Sequence, residues 1–175
     1  MISIFRLQLT RLYEMDARKI VVANVGPVGC IPFKRASNYQ YPTGGPCKDS
    51  INNAAVLFDT KLKILIIELN SNLVESKFVY ADVYNMFSHL FGNCKSYGFE
   101  NYKTSCCQVL PGQLLRGLLV LPCTPASIFC RKRSKYVFWD WAHLTDATNV
   151  VIAKMFLDGN STDMYRMNIR QLYYA

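Results

Sequence analysis

Ile20-Val21-Val22-Ala23-Asn24-Val25 is a short, nearly unbroken apolar run that stops sharply at Gly26-Pro27-Val28-Gly29. A run of that length, rich in β-branched residues and without polar alternation, predicts a parallel strand covered on both faces. The glycines and proline then turn the chain off the strand. Upstream, residues 4–15 carry Phe5, Leu9 and Leu12 at helical spacing and end ahead of Asp16-Ala17-Arg18-Lys19. Downstream, residues 53–73 place Ala55, Phe58, Leu62, Leu65, Ile66, Leu69 and Leu73 on one stripe, with Lys61, Lys63 and Glu68 elsewhere. That stripe reads as core packing of an amphipathic helix. A second strand is expected in Phe78-Val79-Tyr80-Ala81-Asp82-Val83-Tyr84, then a short helix over residues 85–91. Strand, helix, strand in this order predicts a right-handed βαβ unit, a parallel sheet and an α/β fold.

The remainder is less regular. Residues 34–50 hold Pro42, Gly44, Gly45 and Pro46 and read as a surface loop. Residues 92–134 read as irregular and contain Cys94, Cys106, Cys107, Cys123 and Cys130. A last apolar run, Tyr136-Val137-Phe138-Trp139, ends at Asp140 and is expected as another strand. A closing helix is predicted over 145–157, with Val150, Ala153 and Leu157 inward and Gly159 as its stop. Residues 1–159 are expected as one domain and 160–175 as a polar, aromatic tail.

The chain has 175 residues, 51% of them apolar and 18% charged, which excludes intrinsic disorder and permits a proper core. Lys and Arg total 20 against 12 Asp and Glu, a formal charge of +8. The cations are spread along the chain, and the one dense run is Arg131-Lys132-Arg133-Ser134-Lys135, beside Tyr136, Phe138 and Trp139. No nucleic-acid module signature accompanies it, so no nucleic-acid partner is expected. The most apolar region, residues 109–129, is broken by prolines, glycines and Arg116, so no transmembrane segment is expected. The first residues, Met1-Ile2-Ser3-Ile4-Phe5-Arg6, lack the basic and apolar regions of a signal peptide. Seven cysteines nonetheless suggest an exported protein.

Few residues offer chemistry. Of the two histidines, His89 in Phe87-Ser88-His89-Leu90 reads as a packing residue beside apolar neighbours. His143 comes three residues after Asp140, at the end of an apolar run and before a helix. At the carboxyl edge of a parallel sheet, such a carboxylate could fix the imidazole tautomer and stabilise its protonated form. The spacing is equally that of an Asp capping a turn beside a surface His. No Cys-x-x-Cys occurs and Cys106-Cys107 are adjacent, which suits metal ligation poorly. Disulfides among Cys30, Cys47, Cys106, Cys107, Cys123 and Cys130, with Cys94 left over, are expected, their pairing open. Asn160-Ser161-Thr162 is an N-glycosylation triplet. Gly26-Pro27-Val28-Gly29 has no phosphate-loop spacing, and Pro27 removes a donor.

Several stretches taken in order carry a resemblance: Leu12-Tyr13, Ala17-Arg18-Lys19, residues 25–32 (Val25-Gly26-Pro27-Val28-Gly29-Cys30-Ile31-Pro32), residues 78–84, Tyr97-Gly98-Phe99-Glu100-Asn101, Cys106-Cys107, Pro122-Cys123, residues 136–140 and 143–149. Together they resemble the plant GDSL esterase/lipase family of the SGNH hydrolase superfamily. The resemblance covers roughly residues 7–159 and implies a partial three-layer α/β/α, flavodoxin-like fold lacking its N-terminal strands. It implies that Asp140 and His143 are the acid and base of a Ser-His-Asp triad that hydrolyses carboxylic esters, acyl or lipid. It further implies a secreted protein with a small-molecule ester substrate and no cofactor.

Neither Gly-Asp-Ser nor Gly-x-Asn-Asp, the family's nucleophile and oxyanion blocks, occurs in these residues, and Asp49-Ser50 comes after Lys48 in a polar loop. The 175 residues are therefore expected to correspond to the C-terminal part of such an enzyme and to have little activity alone. The competing expectation is a non-catalytic secreted module with the same motifs. Asp16 stands where relatives commonly carry glycine, a left-handed position. Leu144 replaces a usual proline, and Trp141 is bulky for the catalytic loop.

Overall fold

A computed structural model describes residues 1–36, 44–108, 123–125 and 127–175. In chain order its elements begin with α1 (Ile2–Glu14), β1 (Lys19–Ala23), α2 (Pro32–Ala36), α3 (Asp49–Asn72), β2 (Lys77–Ala81) and α4 (Val83–Gly92). They continue with β3 (Asn101–Ser105), β4 (Cys107–Gln108), β5 (Ile128–Phe129), β6 (Tyr136–Phe138), α5 (Asp146–Asp158), β7 (Met164–Tyr165) and α6 (Ile169–Tyr174). The contacts divide the chain into two compact units. One comprises Met1–Val28, Ser50–His89 and Ile152–Ala175, the other Gly29–Asp49 and Leu90–Val151.

In the first unit β1 and β2 pair in parallel, from Lys19 opposite Lys77 to Ala23 opposite Ala81. β2, central in the sheet, is buried on both sides, whereas β1 lies at its edge and leaves Ala23 exposed. Val22, Phe78 and Tyr80 pack with Leu9 of α1 and with Leu62, Leu65, Ile66 and Leu69 of α3. Val79 and Ala81 face the other way, onto Met86, Met164 and Leu172, with Val21, Ile152, Met155 and Phe156 around them. The result is a three-layer arrangement, helices on either face of the sheet, in a mixed α/β chain.

Side-chain amides complete what so short a sheet leaves unpaired. Asn70 of α3 donates to the Phe78 carbonyl (2.8 Å) and accepts from its N–H (2.9 Å). At the carboxyl end of the strands, Asn24 donates to the Tyr80 hydroxyl (2.7 Å) and to Asp82 (2.9 Å). Burial, and then the Asp82 charge, hold the Tyr80 phenol well above the usual range. Asp16, at φ 67°, takes the left-handed conformation expected after α1, at some steric cost.

Residues 160–175 depart from the expected polar tail. Met164 opposes Ala81 across an antiparallel β2–β7 pair, and Met164 and Leu172 are buried. Asn168 and Gln171 form a capping box that starts α6. A two-residue strand and a six-residue helix are too short to leave a periodic signature. α5 lies where predicted but in a different phase. Val150, Ala153 and Leu157 are exposed, while Thr148 is buried and Ile152, Met155 and Phe156 pack inward. Apolar residues ring this helix, so periodicity alone left its phase open.

In the second unit, β3 and β6 pair in parallel and β4 and β5 antiparallel. β6 thus belongs to its own two-stranded sheet, not to the β1–β2 sheet that continuous apolar character suggested. Hydrophobic runs reveal burial, not the partner strand. Disulfides Cys30–Cys47, Cys106–Cys130 and Cys107–Cys123 cross-link this unit. Closing loops of 16 to 24 residues is worth about 3 kcal/mol each in the chain-entropy account. Buried Arg35 donates to the carbonyls of Cys30 and Gly45, both at 2.7 Å. Gly44 sits at φ 91°, where an added Cβ would come within 2.9 Å of the Lys103 carbonyl. Residues 109–122, part of the expected irregular stretch, lie outside the described residues.

Two measurements check this architecture. Leu62 is fully buried whereas Leu57 is 60% exposed on the same helix. Leu62→Ala should cost about 2–5 kcal/mol in urea unfolding, and Leu57→Ala about 0.5 kcal/mol or less. A thiol titration of the denatured, unreduced chain should find one free thiol, that of Cys94, which is buried in the fold. Three or more would contradict the disulfide pattern.

Candidate active site

β6 ends at Phe138, and the chain then makes a closed loop that returns at Leu144. Phe138 and Leu144 form an antiparallel bridge, and the Trp139 N–H donates to the His143 carbonyl at 2.8 Å. Within this loop the Asp140 side chain is mostly buried (13% exposed) while that of His143 is 80% exposed. Nδ1 of His143 lies 2.8 Å from Oδ2 and 3.0 Å from Oδ1 of Asp140. Oδ1 also accepts the backbone N–H groups of Ala142 (2.9 Å) and His143 (2.7 Å).

These contacts set the electrostatics. Burial alone would raise the Asp140 pKa, but the backbone donors of His143 and Ala142, with the imidazole, outweigh it and hold the carboxyl below its usual range. Asp140 therefore stays ionised against Nδ1 of an exposed ring, and the same carboxylate caps its own turn.

Two threonines, which sequence reasoning did not single out, hold the loop's far end. Thr145 Oγ1 donates to the Tyr136 carbonyl at 2.7 Å and accepts the Thr148 N–H at 3.2 Å, capping α5. Thr148 Oγ1 donates to the Val137 carbonyl at 2.8 Å. Both residues are buried, and they bolt the helix start to β6. The available signal was a threonine three residues before another at a predicted helix start. A cavity of about 400 Å³ adjoins the loop, with Trp139, Leu144 and Ala147 in its wall.

The other candidates lie apart from this loop in role. His89 is exposed on α4, within electrostatic reach of Asp163. Asp49 and Ser50 open α3 and are both exposed. Asn160 is exposed, its side-chain oxygen accepting the Thr162 N–H at 2.9 Å. Among the described residues, no cluster of His, Cys, Asp and Glu could hold a metal ion, and no helix is long and apolar enough to cross a membrane.

The chain is mixed α/β, with an Asp–His contact in the loop that follows a strand. The sequence matches the GDSL-like Lipase/Acylhydrolase family over residues 1–156, and the chain belongs to that family. It is 51% identical over 172 residues to GDSL esterase/lipase At4g16230 of Arabidopsis thaliana, covering 98% of this chain and 45% of that protein. It is similar also to GDSL esterase/lipase At3g50400 (43% identity, 98% and 45% coverage) and At2g23540 (41%, 98% and 43%) of the same plant. The chain thus spans less than half the length of these relatives.

The sign of the pH dependence is fixed by Asp140. Because its folded pKa is depressed, the stabilisation of the loop is fully present above the unfolded carboxylate value of about 3.9 and is lost as pH falls through the lower, folded value. An NMR titration of the Asp140 carboxyl carbon should show its midpoint below about 3.9. A midpoint at or above that value would remove the oriented carboxylate.

Proposed function

We propose that Asp140 and His143 are the acid and base of a Ser-His-Asp ester hydrolase, acting on carboxylic esters of acyl or lipid type. The observation that carries this reading is the 2.8 Å contact from Asp140 to Nδ1 of an otherwise exposed His143. Nε2 would take the proton of a serine hydroxyl as its oxygen attacks the ester carbonyl carbon. The same nitrogen would then protonate the departing alcohol, and in the second half-reaction deprotonate the water that releases the acid. Asp140 would stabilise the imidazolium formed in each half. No cofactor enters this scheme.

The family's nucleophile and oxyanion blocks, Gly-Asp-Ser and Gly-x-Asn-Asp, do not occur in these 175 residues. We infer that they represent the acid–base part of a larger catalytic unit and that the chain alone turns over esters little or not at all. A base without a nucleophile or oxyanion donors has neither a proton to take nor an intermediate to stabilise. The competing role, a non-catalytic binding module, draws on the same missing blocks. Three disulfides and the exposed Asn160 triplet support a secreted, glycosylated protein.

The purified chain should hydrolyse p-nitrophenyl butyrate no faster than its His143→Ala variant. Joined to the N-terminal part of the Arabidopsis relative At4g16230, it should gain turnover that His143→Ala lowers by about 10³-fold or more. Turnover in the joined protein that survives His143→Ala would refute the base assignment. His143-dependent turnover by the 175 residues alone would refute the division of the catalytic apparatus.

A further inference from the structure

We propose that the segment spanning β5 to the start of β6 is a docking surface for an anionic lipid interface. Ile128 and Phe129, adjacent in β5, are 54% and 36% exposed and form an apolar pair at the surface. Beside them Arg131, Lys132 and Arg133 are exposed. Between Glu100 and Asp140 the sequence contains Lys103, Arg116, Arg131, Lys132, Arg133 and Lys135 and no acidic residue. Of these six cations, Arg131, Lys132, Arg133 and Lys135 belong to this segment, with no acid among them.

The arrangement is rigid and its chemistry is twofold. The Phe129 ring stacks on Trp139 with centroids 5.5 Å apart and planes 10° from parallel. The Arg133 guanidinium lies 5.0 Å from the Trp139 ring centre and 5.9 Å from that of Phe129. β5 is paired to β4, and the Cys106–Cys130 disulfide anchors its end. A surface held this way needs little ordering to dock. Apolar Ile128 and the Phe129 edge match the acyl boundary of a lipid surface, and the cations match its phosphates.

Charge alone would also suit a nucleic acid, but the stacking does not. Single-strand platforms offer aromatic faces to bases, and here one face each of Phe129 and Trp139 is taken up by the other ring, with Arg133 close to both, which leaves less aromatic face for a base. Ile128, the most exposed apolar residue of the group, has no face on which a base can stack. The lipid reading is independent of whether the chain hydrolyses anything. Trp139 does precede Asp140 directly, so docking would bring the His143 loop toward the interface.

Co-sedimentation with phosphatidylcholine vesicles, with and without phosphatidylglycerol, tests this. The chain should bind the phosphatidylglycerol-containing vesicles, release on raising salt, and bind pure phosphatidylcholine weakly. The double variant Arg131→Glu, Lys132→Glu should weaken binding about tenfold or more, since each surface cation contributes roughly fivefold. The variant Lys95→Glu, Lys154→Glu makes the same change of net charge at exposed positions elsewhere and should retain near-normal binding. Ile128→Ser should weaken binding without changing its salt dependence. The proposal fails if both double variants lose binding equally, if Ile128→Ser has no effect, or if single-stranded DNA is bound more tightly than the anionic vesicles.

Discussion

Parallel pairing of β1 with β2 is the constraint on which the first unit depends. Parallel strands cannot be joined by a tight turn, so a long connection must cross one face of the sheet. α3 is part of that connection, and its Leu62, Leu65, Ile66 and Leu69 stripe covers the face that Val22, Phe78 and Tyr80 present. The opposite face then needs its own cover, or Val79 and Ala81 would meet water. Met86 of α4, Leu172 of α6 and Ile152, Met155 and Phe156 of α5 supply it, with Met164 of β7 beside Ala81 in the sheet. This requirement explains why the last residues fold back: β7 pairs with the free edge of β2 and brings α6 onto that face.

The Asp140–His143 loop depends on a different kind of constraint. β6 has only three residues, so regular pairing contributes little to holding the loop in place. Positioning comes instead from hydrogen bonds at both ends of the loop. Trp139 and His143 close the neck, and Thr145 and Thr148 return two bonds to the carbonyls of Tyr136 and Val137. Asp140 fills the interior of the turn by accepting two backbone N–H groups and the imidazole. A carboxylate with those partners resists rotation, and its orientation sets that of the ring.

Much of this was legible in the sequence. The apolar runs at residues 20–25 and 78–84 and the stripe over 53–73 located the first unit, because period and run length report burial directly. That Asp140 and His143 lie side by side was legible from their spacing; that Asp140 also accepts two backbone N–H groups of its own turn was the other reading the spacing offered. The partner of β6 was not legible, since a strand's own residues do not encode which neighbour it pairs with. The phase of α5 failed for a related reason: Val150, Ile152, Ala153, Met155, Phe156 and Leu157 offer two competing apolar faces. The deciding contact is polar, Thr148 bonding back to β6, which hydrophobic patterning ignores. β7 and α6 escaped because two and six residues are too short for a strand or helix period to show.

The cysteines acquire a role from the second unit's shape. Its strands are two to five residues long, which limits how much regular pairing can contribute to its stability. Each disulfide compensates at a particular joint. Cys30–Cys47 ties the turn after β1 to the approach of α3, around the buried Arg35. Cys106–Cys130 and Cys107–Cys123 bind the β4–β5 pair, and the backbone N–H groups of Cys106 and Cys107 donate to the carbonyls of Phe138 and Trp139. The cross-linked segment therefore borders the very residues that precede Asp140. Reduction would act on the histidine indirectly, by loosening the β4 backbone against which residues 138 and 139 are registered. The same linkage holds Phe129 on Trp139, so the basic, apolar surface and the Asp140–His143 loop share one mechanical support.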